Sequence, residues 1–211
     1  NPTVQTTSVD VPSWSAPSSS APNPGGSVST LDGRMLNVQW RDGILYTCHA
    51  INGPANNTVS RWYSFDVQSP ISPVLLQSGN IDMPSGVHNF FPAIGVNAYG
   101  DVGLAMAMAS ANDVPSMQVT GRRADDPAGT MGSLTETQTG TDGADGRYGD
   151  YYDMTIDPVD DVTFWYVGEV SMNFGWQTCV GSFTITPPNA CPADANGDGE
   201  VDVTDLLAAI A

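Results

Sequence analysis

The stretch FPAIGVNAYGDVGLAMAMA, residues 91–109, decides the fold of this chain. It consists of an apolar segment at 91–96, a turn-forming segment at 97–100 and a longer apolar segment at 102–109. Short apolar segments separated by Asn, Gly and Asp are typical of two antiparallel strands joined by a tight turn. The stretch therefore predicts a β-hairpin.

The same order of strand, tight turn and more apolar strand recurs on both sides of this hairpin. The predicted strands are 34–40, 44–50, 61–67 and 73–77 in the first unit, 91–96, 102–109, 116–121 and 133–138 in the second, and 151–156, 163–170 and 176–185 in the third. Units of roughly 60 residues with about four short strands each are typical of β-propeller blades. A β-sandwich with similarly spaced hairpins is the alternative.

Three runs in these units carry a family resemblance: FPAIGVNAYGDV (91–102), VTGRRADDPAGTM (119–131), and GRYGDY with DPVDDVTFW (146–165). They resemble segments of large secreted bacterial β-propellers that are loosely akin to sialidase-like propellers. The resemblance implies an all-β fold in which residues 34–187 form about three four-stranded blades. Residues 1–12 would then be the last strand of a preceding blade, and the Pro/Ser/Gly-rich residues 13–33 a connector.

Three blades do not close a ring, since closed propellers have about 4–8 blades. We therefore expect the missing blades to come from the rest of a longer polypeptide or from other copies of this chain. The opening at Asn1 without a signal peptide suggests a mature or truncated piece of a secreted protein.

The charge of the chain excludes one class of partner. It has 23 Asp and Glu against 6 Lys and Arg, for a formal net charge of −17. Binding a phosphate backbone needs clustered positive charge, so nucleic acid and anionic lipid are not expected partners. No apolar run approaches the ~20 residues that span a bilayer, so membrane insertion is not expected either.

A calcium loop is predicted near the C-terminus, in DANGDGEVDVTD at 194–205. Oxygen ligands fall at the spacing of a twelve-residue calcium loop, with Gly199 at the obligatory turn. An acidic linker is the alternative. The predicted Ca²⁺ ligands are Asp194, Asn196, Asp198, Glu200 (through its carbonyl), Asp202 and Asp205.

The loop and the short helix predicted after it, at 203–210, resemble one half of a dockerin, with Asp205 where an EF-hand has glutamate. The resemblance implies that residues 188–211 dock to a protein partner, such as a cohesin-like module. It also implies that Cys191 pairs with a cysteine following the helix. Cys48 and Cys179 would then form a disulfide or remain buried free thiols.

Several weaker candidates lie elsewhere. Residues 142–150 are either a second cation loop or a turn-rich loop. The arginines either form a carboxylate-binding cluster or brace the strands by pairing with Asp150, Asp125, Asp126 or Glu169. The arginines in question are Arg34, Arg61, Arg122, Arg123 and Arg147.

Candidate catalytic pairs for glycoside cleavage are Glu169 with Tyr166 and Asp153 with Tyr151. His49 and His88 are isolated in the sequence, and we interpret them as structural. We expect the tryptophans to fill the cores between sheets rather than to bind sugars. Those tryptophans are Trp40, Trp62, Trp165 and Trp176.

The sequence thus favours a secreted or cell-surface binding and assembly module that is not an enzyme, with a calcium-dependent dockerin-like tail. Its expected partners are a protein bound by the tail, other copies bound through open blades, and possible carbohydrate. The alternatives are the C-terminal part of a secreted sialidase-like glycoside hydrolase and a structural subunit of an extracellular polymer.

Overall fold

The computed structural model describes residues 3–69, 71–173 and 175–185. The prediction of an all-β fold is confirmed for these residues. Their only helical turn is a short 3₁₀ segment at Pro54–Asn56. No helix in this part of the chain is long and apolar enough to cross a lipid bilayer. The predicted calcium loop, the following helix and Cys191 lie outside the described residues.

The strands form a small N-terminal hairpin and three antiparallel sheets. The hairpin consists of β1 (Ser20–Asn23) and β2 (Gly26–Ser29). In each larger sheet, strands that follow one another in sequence lie side by side. Sheet I comprises β3 (Val38–Arg41), β4 (Ile44–Asn52), β5 (Thr58–Asp66) and β6 (Val74–Ile81). Sheet II comprises β7 (Val87–Val96), β8 (Val102–Ser110), β9 (Ser116–Arg122) and β10 (Thr135–Gln138), and sheet III β11 (Asp153–Ile156), β12 (Phe164–Met172) and β13 (Gly175–Phe183).

Each sheet begins with the tight turn that the sequence predicts. Asp42 and Gly43, between β3 and β4, both have positive φ, 52° and 81°. A two-residue loop with two positive φ angles matches the right-handed twist of its strands, which is why Asp-Gly is favoured there. In the second turn the Asn97 carboxamide accepts hydrogen bonds from the backbone N–H groups of Tyr99 and Asp101, both at 3.0 Å.

Sheet II lies between the other two sheets, and its strands β7, β8 and β9 are buried on both faces, whereas β10 is largely exposed. Alternate residues of β8 enter different cores, because side chains along a strand point to opposite faces. Leu104 and Met106 pack against sheet I, whereas Ala105 and Ala107 pack against sheet III. The apolar run at residues 102–109 is therefore a central strand with no solvent-facing side.

A bulge in β7 changes which residues face sheet III. The register shifts by one residue between Phe90 and Ala93, and Phe91 adopts a φ of 53°. Pro92 lies inside this irregularity, where the absence of an N–H costs no ladder hydrogen bond. As a result Phe90, Phe91 and Ala93 all belong to the core between sheets II and III.

Three features differ from the predictions. No strand forms within residues 3–18; the carbonyls of Pro12 and Ser13 accept hydrogen bonds from Arg61, and that of Ser15 accepts one from the backbone N–H of Asn52. The expected connector at 13–33 contains the N-terminal hairpin, which buries Ala21 and Val28. In the described residues, sheet III has the three strands that the sequence predicts, one fewer than the four-stranded blade that the resemblance implies.

Cys48 and Cys179 are free, so the disulfide between them is not formed. Cys48 is buried between sheets I and II, where its thiol donates to the carbonyl of Pro92. Cys179 is partly buried against the core between sheets II and III. The two thiols are therefore in different cores, and burial raises the pKa of both.

Both histidines are structural, as predicted. The ring of His49 lies between the carbonyl of Gly33 (2.8 Å) and the hydroxyl of Tyr63 (2.9 Å). His88 Nδ1 accepts a hydrogen bond from the backbone N–H of Thr58 at 3.0 Å. Burial lowers the pKa of each ring, because the charged form is poorly solvated there.

Acid should therefore destabilise the fold through His88. Since its pKa is lowered below 6.5 on folding, the unfolded chain takes up the proton first as pH falls. The stabilising contribution of the neutral His88 ring is therefore complete above pH 6.5 and is lost as the pH falls below that value. Urea unfolding of wild type and His88→Gln at several pH values measures this. We expect the free-energy difference between them to shrink as pH falls; a difference independent of pH would contradict the prediction.

Candidate functional site

The candidate site forms where β12 extends beyond its neighbour β11. The pairing of these strands ends at Asp153 and Val167, so the edge of β12 from Gly168 onward has no partner strand. The loop at 139–152 covers that edge instead. Tyr148 and Tyr152 both donate their hydroxyls to the carbonyl of Glu169, at 2.5 and 2.6 Å.

These two tyrosines fix the backbone at Glu169 from inside the core. Tyr148 and Tyr152 are 3 and 4 % exposed and pack with the aromatic side chains of β7. Burial raises the pKa of both hydroxyls, so they remain protonated donors. Gly168 leaves room for Tyr152, since a Cβ there would lie 2.3 Å from its ring.

The Glu169 side chain points away from this core, into a cleft. Its Oε1 accepts a hydrogen bond from the backbone N–H of Gly149 at 3.0 Å. Burial raises the pKa of this carboxyl, and the negative charge of Asp150 raises it further. Glu169 is thus a positioned, half-buried carboxyl group whose other oxygen is not used in any described hydrogen bond.

Arg147 and Asp150 form the second polar group of the site. The Arg147 side chain is 80 % exposed, while that of Asp150 is 5 % exposed, and Arg147 Nη2 pairs with Asp150 Oδ2. Asp150 adopts a φ of 86°, and its Oδ1 is buried without a hydrogen-bond partner. Positive φ at a non-glycine residue is uncommon and is often found at functional sites.

The cleft has a volume of about 300 Å³, near the lower end of small-molecule sites. Its base is the contact between the N-terminal hairpin and the 139–152 loop, where Asn23 and Ala144 exchange hydrogen bonds of 2.8 and 2.9 Å. Trp176, in β13, forms one wall and is 66 % exposed. The polar and aromatic side chains of the lining are Asp145, Arg147, Tyr148, Glu169 and Trp176.

Of the predicted catalytic residues, only Glu169 lies in this cleft. Tyr166 is three residues before Glu169 on the same strand, so it points to the opposite face and is buried against sheet II. Asp153 accepts a hydrogen bond from Asn37 at 2.7 Å, outside the cleft. The structure therefore does not bring Glu169 and Tyr166 together, and the proposed Glu169–Tyr166 pair is wrong.

The arginines brace local structure and do not line one cluster. Arg147 pairs with Asp150, and Arg123 with Asp125 at 2.9 Å. Arg61 donates to Asn80. Arg122 lies 5.7 Å above the ring of Trp62. The bracing alternative is confirmed for Arg147 and Arg123, whose partners include Asp150, Asp125 and Asp126. Arg34 pairs with Asp32 instead, and Glu169 forms no salt bridge in the part of the chain that the structure describes.

No described residues form the second cation site. Across 3–69, 71–173 and 175–185, no three His, Cys, Asp or Glu side chains are close enough to hold a metal ion. The 142–150 loop instead contacts the N-terminal hairpin. The predicted ligands Asp194, Asn196, Asp198, Glu200, Asp202 and Asp205 lie outside the described residues.

The burial of the tryptophan side chains differs from the prediction. Only Trp62 is fully buried in a core, whereas Trp40, Trp165 and Trp176 are 65, 41 and 66 % exposed. Trp40 is in β3, and its neighbours Gln39 and Arg41 point inward, donating to the carbonyls of Met154 in β11 and Val96 in β7. Trp40 therefore points outward from sheet I. Trp165 likewise points outward from sheet III, since Phe164 and Tyr166 face the core.

Two apolar outer faces result. The exposed part of the outer face of sheet I contains Val38, Trp40 and Leu45, with Val38 57 % exposed, whereas His49, farther along the same face, is buried against Trp14. The outer face of sheet III contains Trp165, Val167 and Val180, around a depression of about 200 Å³. Val180 is 68 % exposed. Because Trp40, Trp165 and Val180 are themselves apolar, the sequence of β3, β12 and β13 does not mark these faces as exposed.

Comparison with known proteins leaves the family open. No protein-family model and no curated protein matches the chain. A crystal structure of a protein of unknown function from Dyadobacter fermentans DSM 18053 aligns with a TM-score of 0.47 and 10 % identity. The alignment covers 84 % of this chain and 48 % of that one, so the chain spans about half the length of that protein.

Proposed function

We propose that this chain is an extracellular, non-enzymatic assembly module in which the three sheets are consecutive blades of a β-propeller-type stack. The observation that carries the proposal is the pair of apolar outer faces on sheets I and III. Sheet II shows how such faces are used in this molecule, since both of its faces are covered by another sheet. Stacking of further sheets on sheets I and III would cover their outer faces in the same way.

The occupant that we propose is a second copy of this chain, with sheet III of one copy packed against sheet I of the next. Such a head-to-tail contact uses two different surfaces, so it can generate a ring or a filament. Burying the exposed indoles of Trp40 and Trp165 supplies the apolar driving force. The net charge of −17 opposes association, so added salt should strengthen it.

Sedimentation velocity on two variants tests this arrangement. Trp165→Glu places a charge on the outer face of sheet III, and Trp40→Glu places one on the outer face of sheet I. Each variant alone should therefore be monomeric. In an equimolar mixture, the intact sheet I face of Trp165→Glu can pack against the intact sheet III face of Trp40→Glu. The mixture should therefore form a 1:1 dimer that does not grow further. Wild type should form larger species, increasingly so with salt.

Tyr99→Glu is the matched control, because Tyr99 is 67 % exposed in the 97–101 turn and belongs to neither face. It should associate as wild type does. A wild-type chain that stays monomeric at high concentration and moderate salt would overturn the proposal. Failure of the mixed variants to pair would show that the contact is not head to tail.

The second part of the proposed function is calcium-dependent docking of the C-terminal tail. Its support is the order of oxygen-bearing residues from Asp194 to Asp205, with Gly199 at the turn position. Calcium takes 6–8 oxygen ligands, which a short loop of this pattern provides. We propose that the calcium-loaded tail binds a protein partner outside the cell.

A further inference from the structure

We propose that the cleft beside Glu169 binds a neutral oligosaccharide, with Trp176 as the platform on which a sugar ring lies. The cleft lies near the β12–β13 turn on the outer face of sheet III, and its lining differs from that of the depression around Trp165 and Val180. The proposal rests on three features that the fold places together: an exposed indole, a positioned carboxylate and an exposed guanidinium.

Trp176 provides the apolar surface. It pairs with Ser171 near the turn that joins β12 to β13, and two-thirds of its surface is exposed. A pyranose ring presents C–H groups on one face, and these carry the partial positive charge that the negative face of an indole attracts. Covering the indole with such a ring also removes apolar surface from water.

Glu169 and Arg147 provide hydrogen bonds to hydroxyl groups. The Glu169 carboxylate accepts only the Gly149 N–H within the described residues, so one oxygen can accept from a ligand. Arg147 uses Nη2 for Asp150, which leaves other guanidinium N–H groups as donors. A hydroxyl is both donor and acceptor, so an acceptor and a donor facing one cleft suit a polyol.

The charge balance selects a neutral ligand over an anionic one. Asp150 already neutralises Arg147, while Asp145 and Glu169 add negative charge to the lining. A carboxylated or sulfated sugar would enter a site with no unpaired positive charge. The cleft therefore does not suit the anionic sugars that a guanidinium cluster recognises.

The site is organised before a ligand arrives. Two tyrosine hydroxyls hold the carbonyl of Glu169, and a backbone N–H holds its carboxylate. Fixing these groups in the free protein lowers the ordering cost that binding would otherwise incur. Trp176 lies near the start of β13, and the described chain continues from the opposite end of that strand, at Phe183.

Calorimetric titration of the full-length protein tests the proposal, with cellotetraose, xylotetraose and mannotetraose as neutral probes and tetragalacturonate as the anionic one. We expect at least one neutral probe to bind saturably and tetragalacturonate to bind more weakly. Trp176→Ala should abolish measurable binding of that neutral probe. Glu169→Gln keeps the shape and an oxygen for Gly149 but loses the charge, so it should weaken binding about tenfold.

Tyr99→Ala is the matched control, since Tyr99 is also an exposed aromatic side chain but lies outside the cleft and outside both outer faces. It should bind the probe as wild type does. No binding of any neutral probe at millimolar concentration overturns the proposal. So does tighter binding of tetragalacturonate, or binding that survives Trp176→Ala. Thermal melts of the variants separate lost binding from lost folding.

Discussion

Replacing Phe164 by alanine should lower the free energy of unfolding by about 3–5 kcal/mol. Phe164 is fully buried and stacks on Phe183 with ring centroids 5.0 Å apart. It fills a slot above Gly95 and Gly103, which pair across β7 and β8. A Cβ on Gly103 would lie 2.7 Å from the Phe164 ring, so the fit depends on both partners.

The expected loss is large because domains of this kind are stable by only about 5–15 kcal/mol. The slot is lined by backbone, which cannot collapse into the space that the ring leaves. Urea unfolding followed by circular dichroism measures the change. Trp165→Ala, one residue along β12 and facing outward, should cost about 1 kcal/mol or less. Equal losses for the two variants would show that the packing between sheets II and III does not depend on this slot.

Removing calcium should abolish the function of the tail, and Asp198→Ala should have the same effect. Four aspartates in the loop, Asp194, Asp198, Asp202 and Asp205, repel one another when no cation is bound. A bound Ca²⁺ would remove that repulsion, and each lost carboxylate would remove one of the proposed ligands. We expect wild type to bind one Ca²⁺ and Asp198→Ala to bind it at least about 10–100-fold more weakly.

Isothermal titration of chelator-treated protein with CaCl₂ measures both affinities. Asp82→Ala, which removes an exposed aspartate from the loop after β6, controls for the loss of one negative charge. It should bind calcium as wild type does. If wild type takes up no calcium at millimolar concentration, or if Asp198→Ala is unchanged, residues 194–205 are an acidic linker.

Much of the fold could be predicted from turn chemistry. Asp42-Gly43 and the 97–101 turn impose local conformations that few other residues adopt, so they locate the strands on either side. The recurrence of these turns predicted three successive sheets. The N-terminal hairpin was missed because Ala21 and Val28 are too few to make an apolar pattern. It is held by groups more than a hundred residues away.

The candidate site could not be predicted to the same extent. Glu169 becomes a cleft residue because β11 is shorter than β12 and because two tyrosines occupy the vacant edge. Neither the length mismatch nor the choice of covering loop has a signature in the sequence. Similarly, the exposure of Trp40, Trp165 and Trp176 depends on where the stack of sheets ends, which strand periodicity does not encode.

The contact between the N-terminal hairpin and the 139–152 loop has a consequence for the order of folding. Each larger sheet joins consecutive strands, so it can form from a short piece of chain as synthesis proceeds. The base of the cleft, by contrast, joins Asn23 to Ala144 and Val28 to Gly146. Bringing such distant segments together costs loop-closure entropy that local pairing avoids. The cleft should therefore form last during folding and open first during unfolding. A ligand bound in the cleft would stabilise the folded chain against this local opening.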